Sequence, residues 1–466
     1  MNPFAAAPTY KKMLTVVGVF LAMITSIFLS SSTSILLPVA ADEIGGMDIY
    51  PLASSIAGCL GIALMPLYGF IAAKNPAAKR TLAAASFIVS GVIVLSRGFA
   101  QSMWFIVIPS VIFSLYSPAI YVLGYSTIRD MFSKEQAGAT LGLAGTMQSI
   151  GILAGAPLIG LLTDLAGWRL PFYILGPLFF VAAALVLCGV SVTKEDVKDM
   201  AVSGLTFDFV GALAIIVFLA AVTLALSLTS YLPFGSAGNW ALWVLAVAAA
   251  ALLVWDVTQK KARAFIPSIV LSDRNVISLL CFTFFINFSI MGCYIFLPVY
   301  ARYAMGQSSA AAGLILTFMS IVGLFLGPIY GRIIGKEQNA RNIALLAAGV
   351  RILVLLAFAI LLNPTTSIFL VYVLMLIMGF SSSAGSVVPA AGPQSMIAPE
   401  KRQMGNSVVQ LGSGFGSSIS IAIFTMVIAS RPDSIVGAIQ PIMIISLAGA
   451  VVMFLTNFMM HKLATD

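Results

Sequence analysis

Long apolar runs separated by short polar ones fill almost the whole chain. A helix needs roughly 20 mainly apolar residues to cross a bilayer. Fourteen stretches reach that length: 14–40, 49–73, 80–98, 103–127, 137–163, 169–192, 209–230, 239–258, 276–301, 309–331, 342–362, 366–388, 404–429 and 436–460. The seventh and eighth are rich in Ala, Leu and Val and poor in polar groups, as lipid-facing helices are. The first run, from about Leu14 to Ala41, exceeds the roughly 7–15 residues of a signal-peptide core. It reads as a membrane helix retained in the mature protein.

Composition agrees with this pattern. Hydrophobic residues make up 60% of 466 positions and charged residues 9%, against roughly 45–50% and about 25% in a soluble domain. The net charge of +8 is therefore not a nucleic-acid footprint, and its meaning lies in where the charges fall. With the N-terminus inside and the spans alternating, cytoplasmic loops should hold the excess Lys and Arg. Arg97, Arg169, Arg302 and Arg431 fall outside and Arg351 falls within a span. Every other basic residue of the 24 falls inside. A wrong helix count would scramble this order, so an even number of spans with both termini cytoplasmic is expected. The longest polar segments, 193–208 and 258–273, are both cytoplasmic and bracket helices 7 and 8. This predicts an all-α polytopic membrane protein of two six-helix bundles joined through an inserted helix pair. The corresponding parts are 1–192, 193–275 and 276–466.

An internal repeat supports that division. MPLYGFIAAK at 65–74 aligns with GPIYGRIIGK at 327–336, so that Pro66/Pro328, Tyr68/Tyr330, Gly69/Gly331, Ile71/Ile333 and Lys74/Lys336 coincide. Upstream, ILLPV at 35–39 matches IFLPV at 295–299. Repeated membrane halves are a common way to build a central site with alternating access. Cys59, Cys188, Cys281 and Cys293 lie in apolar runs, and His461 is the single histidine. No metal or cofactor is expected, nor His-based catalysis. No P-loop suggests ATP drive.

Several segments then resemble, in order, the fourteen-helix drug:proton antiporter family of the major facilitator superfamily. Helix 1 ends in ILLPVAADEIGG. The stretch from Gly69 to Arg80 occupies the place of the superfamily's G-x-x-x-D-R-x-G-R-R signature. GWRLPF at 167–172 is similar to the opening of helix 6, and DFVGALAI at 208–215 to the D-x-x-G start of the inserted pair. APEKRQMGNSVVQLGSGFGSSISIAI is similar to the stretch leading into helix 13. The resemblance implies the major facilitator fold and a secondary transporter. The departures bear on mechanism. The signature aspartate is Ala73, and Lys74, Lys79 and Arg80 keep only the positive charge. An aspartate often found in helix 1 is Leu29, and no arginine stands near Pro109 or Ser110 in helix 4. In helix 5 the antiporter pattern becomes Gly151, Gly155, Ala156, Pro157, Gly160 and Leu161, one residue out of step.

No acidic residue falls in the middle of a span. If protons are coupled, the nearest carboxyls are the interfacial Asp48, Asp208 and Asp256, although each reads first as a solvated helix-end charge. Arg351 lies about ten residues into helix 11, where an ionisable group is costly. It reads as an anion-attracting charge facing a cavity or as a snorkelling side chain. The remaining candidate binding groups are neutral: Ser31 and Ser34 in SSSTS, Tyr116, Tyr121 and Tyr125 along helix 4, Gln148 and Gln410 at the repeat offset, and Asn287 and Tyr294 seven apart on helix 9. Such groups bind ligands by stacking and a few hydrogen bonds, or join helices to each other. Gly69, Lys74, Arg80, Gly151, Gly155, Pro157, Gly331 and Lys336 are candidates for surfaces that rock or gate.

These features predict a transporter, not an enzyme, working as a monomer in a lipid bilayer, by expectation a bacterial inner membrane. Its partners are a small-molecule substrate and, where export is proton-driven, protons, with no nucleic acid. Export of amphipathic compounds driven by the proton gradient is the first reading. An organic-anion carrier is the second, and a receptor or scaffold without transport is a third.

Overall fold

The computed structural model describes the chain apart from residues 1–2, 133, 194, 198–206, 230, 261–264, 266–271, 338–339, 399–401, 431–434 and 462–466. It also leaves out the side chains of 5, 55, 57–60, 62–63, 134–135, 137–139, 141–149, 335, 394, 402–404, 407 and 435–436. After a helical turn at Pro3–Ala6, the long helices are α1 (Thr9–Ile44), α2 (Leu52–Lys74), α3 (Lys79–Gly98), α4 (Trp104–Met131), α5 (Lys134–Ala166) and α6 (Arg169–Cys188). Then come α7 (Phe209–Ser227), α8 (Ala237–Lys260) and α9, which runs from Arg274–Met291 through a π segment at Gly292–Phe296 into Leu297–Tyr303. The last are α10 (Ser309–Glu337), α11 (Arg341–Leu361), α12 (Ile368–Met396), α13 (Arg402–Ala429) and α14 (Ile435–Thr456). No strand occurs among the described residues.

Helices dominate because a bilayer offers no water to unpaired backbone groups, and a helix satisfies them within its own segment. Among the described residues, 12 helices are long and apolar enough to cross a membrane. In α2 and α5 the apolar stretches made of described residues are shorter, Leu64–Lys74 and Ile150–Ala166. Many helices outrun their apolar stretch. α1 begins at Thr9 and ends at Ile44, because backbone hydrogen bonding continues past the point where side chains turn polar.

The chain divides into two compact units, 1–45 with 60–207 and 46–59 with 208–466. In the first, α1 packs on α5 and α6, and α3 packs on α4 and α6. In the second, α9 packs on α13 and α14, and α11 packs on α12 and α14. The same four pairings therefore recur at equivalent places, as the sequence repeat leads one to expect. The α7–α8 hairpin belongs to the second unit, where α7 also lies against α13.

Glycines set the closest approaches. A Cβ on Gly155 would stand 2.5 Å from Ser31 Oγ, and one on Gly151 2.7 Å from Ile27 Cγ2, so α5 presses onto α1 there. A Cβ on Gly412 would stand 2.9 Å from the Leu280 carbonyl oxygen, and one on Gly416 would run into the Phe284 carbonyl, so α13 presses onto α9. Small residues spaced by four let helix backbones meet. Each unit uses such a pair against an equivalent helix, α1 in the first and α9 in the second.

The GWR segment also acquires a structural role. Gly167 takes φ +83, a region that favours glycine. Trp168 Nε1 then donates to Glu43 Oε2 at 2.8 Å, and Arg169 pairs with the other oxygen of Glu43. The Arg169 guanidinium lies 4.2 Å from the Trp168 ring centroid. Together they fasten the start of α6 to the end of α1.

Candidate functional site

Polar side chains inside the spans form small groups, each within one unit. In the first unit, Ser31 and Ser34 are fully buried in α1. Ser31 Oγ donates to the Phe28 carbonyl of its own helix at 3.3 Å and faces Gly155. It thus sits in the α1–α5 contact. Ser34 Oγ has no hydrogen-bond partner. Tyr121 and Tyr125 bring their ring centroids to 6.4 Å on α4, and Tyr121 reaches Ser26 of α1. Tyr116 stands near Tyr68 of α2 instead, since spacings of five and four do not hold three side chains on one line. Pro157 is half-buried in α5. Gln148 lies in α5, and its side chain is outside the described residues.

In the second unit, Asn287 Nδ2 donates to the Thr283 carbonyl at 2.8 Å, one turn back along α9. A spacing of seven puts Asn287 and Tyr294 on one face of a regular α-helix. The π segment at Gly292–Phe296 changes this. A π turn closes over one residue more than an α turn, so Tyr294 is rotated off the α-helical line from Asn287. Gln410 of α13 is exposed, with Nε2 3.4 Å from the Pro389 carbonyl of α12.

Arg351 is the most unusual group in this unit. It is 1% exposed, in the middle of α11. Snorkelling is therefore excluded. Its Nη1 donates to the Ile286 carbonyl and, at 3.0 Å, to Ser289 Oγ, both on α9. Its Nε has no partner, and no described carboxylate forms an ion pair with it. A full positive charge is thus held by neutral acceptors. A second such case was not visible in the sequence. Arg97, in the last turn of α3, is 6% exposed, its Nε is unpartnered, and its guanidinium lies 5.2 Å from the Phe113 ring centroid. Its place near a helix end hid it among loop charges.

The repeated signature positions behave alike in both units. Tyr68 donates to the Leu115 carbonyl of α4 at 2.9 Å, and Tyr330 to the Phe380 carbonyl of α12 at 3.5 Å. Gly69 and Gly331 lie just behind them, and a Cβ there would meet only Val122 at 4.0 Å and Val387 at 3.9 Å. Lys74 and Lys336 are exposed in the last turns of α2 and α10. Lys74 Nζ stands 5.5 Å from the Phe70 ring centroid. Arg80 lines a small hollow with Thr15, Gly124 and Thr127. Beside it, Lys79 is 4% exposed and meets Asp130 at 2.5 Å. That buried pair joins the start of α3 to the end of α4, and the charge pattern alone did not reveal it.

The three carboxyls named for proton handling separate into two places. Asp48 is half-buried and reaches the Tyr231 hydroxyl. Burial and the Asp48 charge both push that phenol up from its usual range. Asp208 and Asp256 share one cluster with Lys260. Lys260 Nζ is 2.5 Å from Asp208 Oδ1 and 2.6 Å from Asp256 Oδ1. Asp208 caps α7, accepting from Gly211 N–H at 3.0 Å and from Phe265 N–H at 2.7 Å. Burial alone would raise Asp208, but hydrogen bonds with Asp256, Lys260, Gly211 and Phe265 outweigh it and hold the group down to about 2. Asp256 is 1% exposed, so it is not a solvated helix-end charge.

The profile described as the Major Facilitator Superfamily matches residues 19–421. Multidrug resistance protein 3 of Bacillus subtilis (strain 168) is 23% identical over 390 residues, covering 82% of this chain and 73% of that protein. Uncharacterized MFS-type transporter MT1926 of Mycobacterium tuberculosis (strain CDC 1551 / Oshkosh) is 27% identical over 243 residues, covering 52% of this chain and 34% of that protein. Over this second relative the chain spans about a third of the length. Among solved structures, nucleoside transporter NupG superposes with a TM-score of 0.66 at 12% identity, over 96% of this chain and 98% of that one. At that identity the likeness is one of fold.

Proposed function

Because the chain belongs to the Major Facilitator Superfamily, a family of transporters and not of enzymes, we propose that it exports amphipathic organic compounds by alternating access, driven by the proton gradient. The observation that carries the substrate class is the make-up of the polar positions inside the spans. Apart from Arg351 and the charges toward helix ends, Arg97 and Asp256, they are hydroxyls, phenols and amides: Ser31, Ser34, Tyr116, Tyr121, Tyr125, Gln148, Asn287, Tyr294 and Gln410. Such groups suit ligands held by apolar contact and a few hydrogen bonds. A relative named for multidrug resistance supports the direction. The topology that goes with this reading has fourteen spans, both termini cytoplasmic, and two six-helix bundles separated by the α7–α8 pair. The protein acts as a monomer in a bacterial inner membrane. Rocking surfaces are placed at the α1–α5 and α9–α13 glycine contacts and at the Gly69 and Gly331 segments, with Lys74, Arg80 and Lys336 at their ends. Proton coupling falls to Asp48 or to the Asp208–Asp256 cluster.

A second reading is favoured by one observation. Arg351 is buried without an acidic partner, which suits a carrier of organic anions that needs no proton. Flux in proteoliposomes separates the two. Export of lipophilic cations or neutral dyes should require an inward-directed proton gradient and collapse with an ionophore. Flux of an organic anion that persists without a gradient, and that Arg351→Met abolishes, would overturn the exporter and establish the carrier.

A further inference from the structure

The Asp208–Asp256–Lys260 cluster holds two carboxyls and one ammonium in a place almost closed to water. The side chains of Asp208 and Asp256 are 4% and 1% exposed, and that of Lys260 is 35% exposed. If both acids were ionised, the cluster would carry an uncompensated negative charge. Burying such a charge is costly, and a group in that position neutralises instead.

The geometry shows where neutralisation occurs. Asp208 is supplied with donors: the Gly211 and Phe265 amides and Lys260 Nζ. Asp256 has only Lys260 at its Oδ1, and its Oδ2 accepts no hydrogen bond. The two carboxyls flank Gly211. A Cβ on that residue would stand 2.5 Å from Asp208 Oδ2 and 2.9 Å from Asp256 Oδ2. Both Oδ2 atoms thus crowd one point beside Gly211, and two carboxyl oxygens bond only through a proton. Like charges at this distance cannot both persist.

We propose that Asp208 and Asp256 share one proton, which neutralises the cluster and clasps the Asp208 end of α7 to the Lys260 end of α8. Asp256 is the donor and Asp208 the acceptor. Gly211 is what makes the bond possible, since any side chain there would separate the two acids. No other titratable residue occurs along α7 or α8. α13, packed on α7, carries only Arg402, and the segment after α8 carries Lys261, Arg263 and Asp273, the last capping α9. The side chains of Arg402, Lys261 and Arg263 lie outside the described residues. The proposal does not rest on proton-driven transport, because a carrier that moves substrate without protons would keep this clasp.

The test uses the full-length protein in lipid nanodiscs. Infrared difference spectra of the wild type at pH 7 should contain a protonated-carboxyl C=O band that shifts in heavy water. Asp256→Asn, which keeps a donor toward Asp208, should remove the band and still fold. The sign of the stability effect follows from linkage. The folded state binds a proton that the unfolded carboxyls release above their ordinary range. Stability therefore falls as pH rises, by about tenfold in the folding constant per pH unit for one proton, until the pair itself titrates. Asp256→Asn should lose that one-proton dependence. Absence of the band at pH 7 in the wild type overturns the proposal, and this needs no variant to fold. So does a band that survives in both Asp256→Asn and Asp208→Asn. Stabilisation by sodium ions at fixed pH, with no carboxyl band, would mean that a metal cation bridges the acids instead.

Discussion

Replacing Arg351 by methionine tests whether its charge serves the fold or the cargo. The guanidinium is 1% exposed, with an unpartnered Nε. Taking such an ion out of water costs several kcal/mol even after relaxation. Its two hydrogen bonds, to the Ile286 carbonyl and Ser289 Oγ, return about 1.5–3 kcal/mol each. The two contributions nearly cancel. Methionine keeps a long straight side chain against α9 and removes the charge. Ser289 Oγ still reaches the Phe285 carbonyl at 2.7 Å, so little is orphaned. Arg351→Met should therefore lie within about 2 kcal/mol of the wild type or be more stable. Arg351→Ala also opens a void and should cost about 2–5 kcal/mol. Reversible unfolding in mixed micelles gives the stabilities, and flux in proteoliposomes gives the function. A methionine variant as unstable as the alanine one would refute this accounting, because the charge would then be a net structural asset. A stable methionine variant that has lost anion flux would tie the charge to transport.

Three other perturbations probe the contacts that position the helices. Gly416→Ala drives a methyl group into the Phe284 carbonyl, with Phe284 C at 2.8 Å. It should cost about 1–3 kcal/mol in the same unfolding assay. Gly69→Ala, with nothing nearer than 4.0 Å, should be tolerated, and a loss of flux there at unchanged stability would mark a moving surface. Asp130→Asn leaves Lys79 buried and unpaired and should cost about 3–5 kcal/mol. If its midpoint matches the wild type, the pair is not structural. For Asp208, which is held down to about 2, the stabilisation is complete above the ordinary carboxylate range and is lost as pH falls through about 2. Melts between pH 5 and pH 2 should show that loss in the wild type and less of it in Asp208→Asn.

How much of this protein was readable from its sequence differs between elements. The helices were, because in a bilayer each one must satisfy its own backbone, and the length and apolarity that this demands are local properties. The repeat was readable too. Tyr68 and Tyr330, matched at a fixed offset, make the same kind of bond to the equivalent helix in each unit. The family followed from segments such as GWR and D-x-x-G. Their physical tasks, fastening α6 to α1 and letting two acids meet at Gly211, came only from the folded chain.

The burial of individual charges was the part that sequence could not supply. Lys79 and Arg97 sit in the first and last turns of α3 and Asp256 one turn before the end of α8, where sequence suggests a solvated charge, yet each is buried. Their partners, Phe113, Asp208 and Asp130, are brought to them by other helices. A helix that is apolar all round gives no stripe from which its packed face can be read. Which side chain meets which then depends on the rotation of each helix against its neighbours. A single π turn, as in α9, is enough to move Tyr294 away from the face its spacing implied. Sequence by itself determined that this chain is a membrane-embedded helical protein, because membrane insertion responds to local hydropathy, while its class of function came through resemblance to a family of transporters. Tertiary structure alone decided where its few buried charges lie and what holds each of them, because that requires partners brought together from other helices.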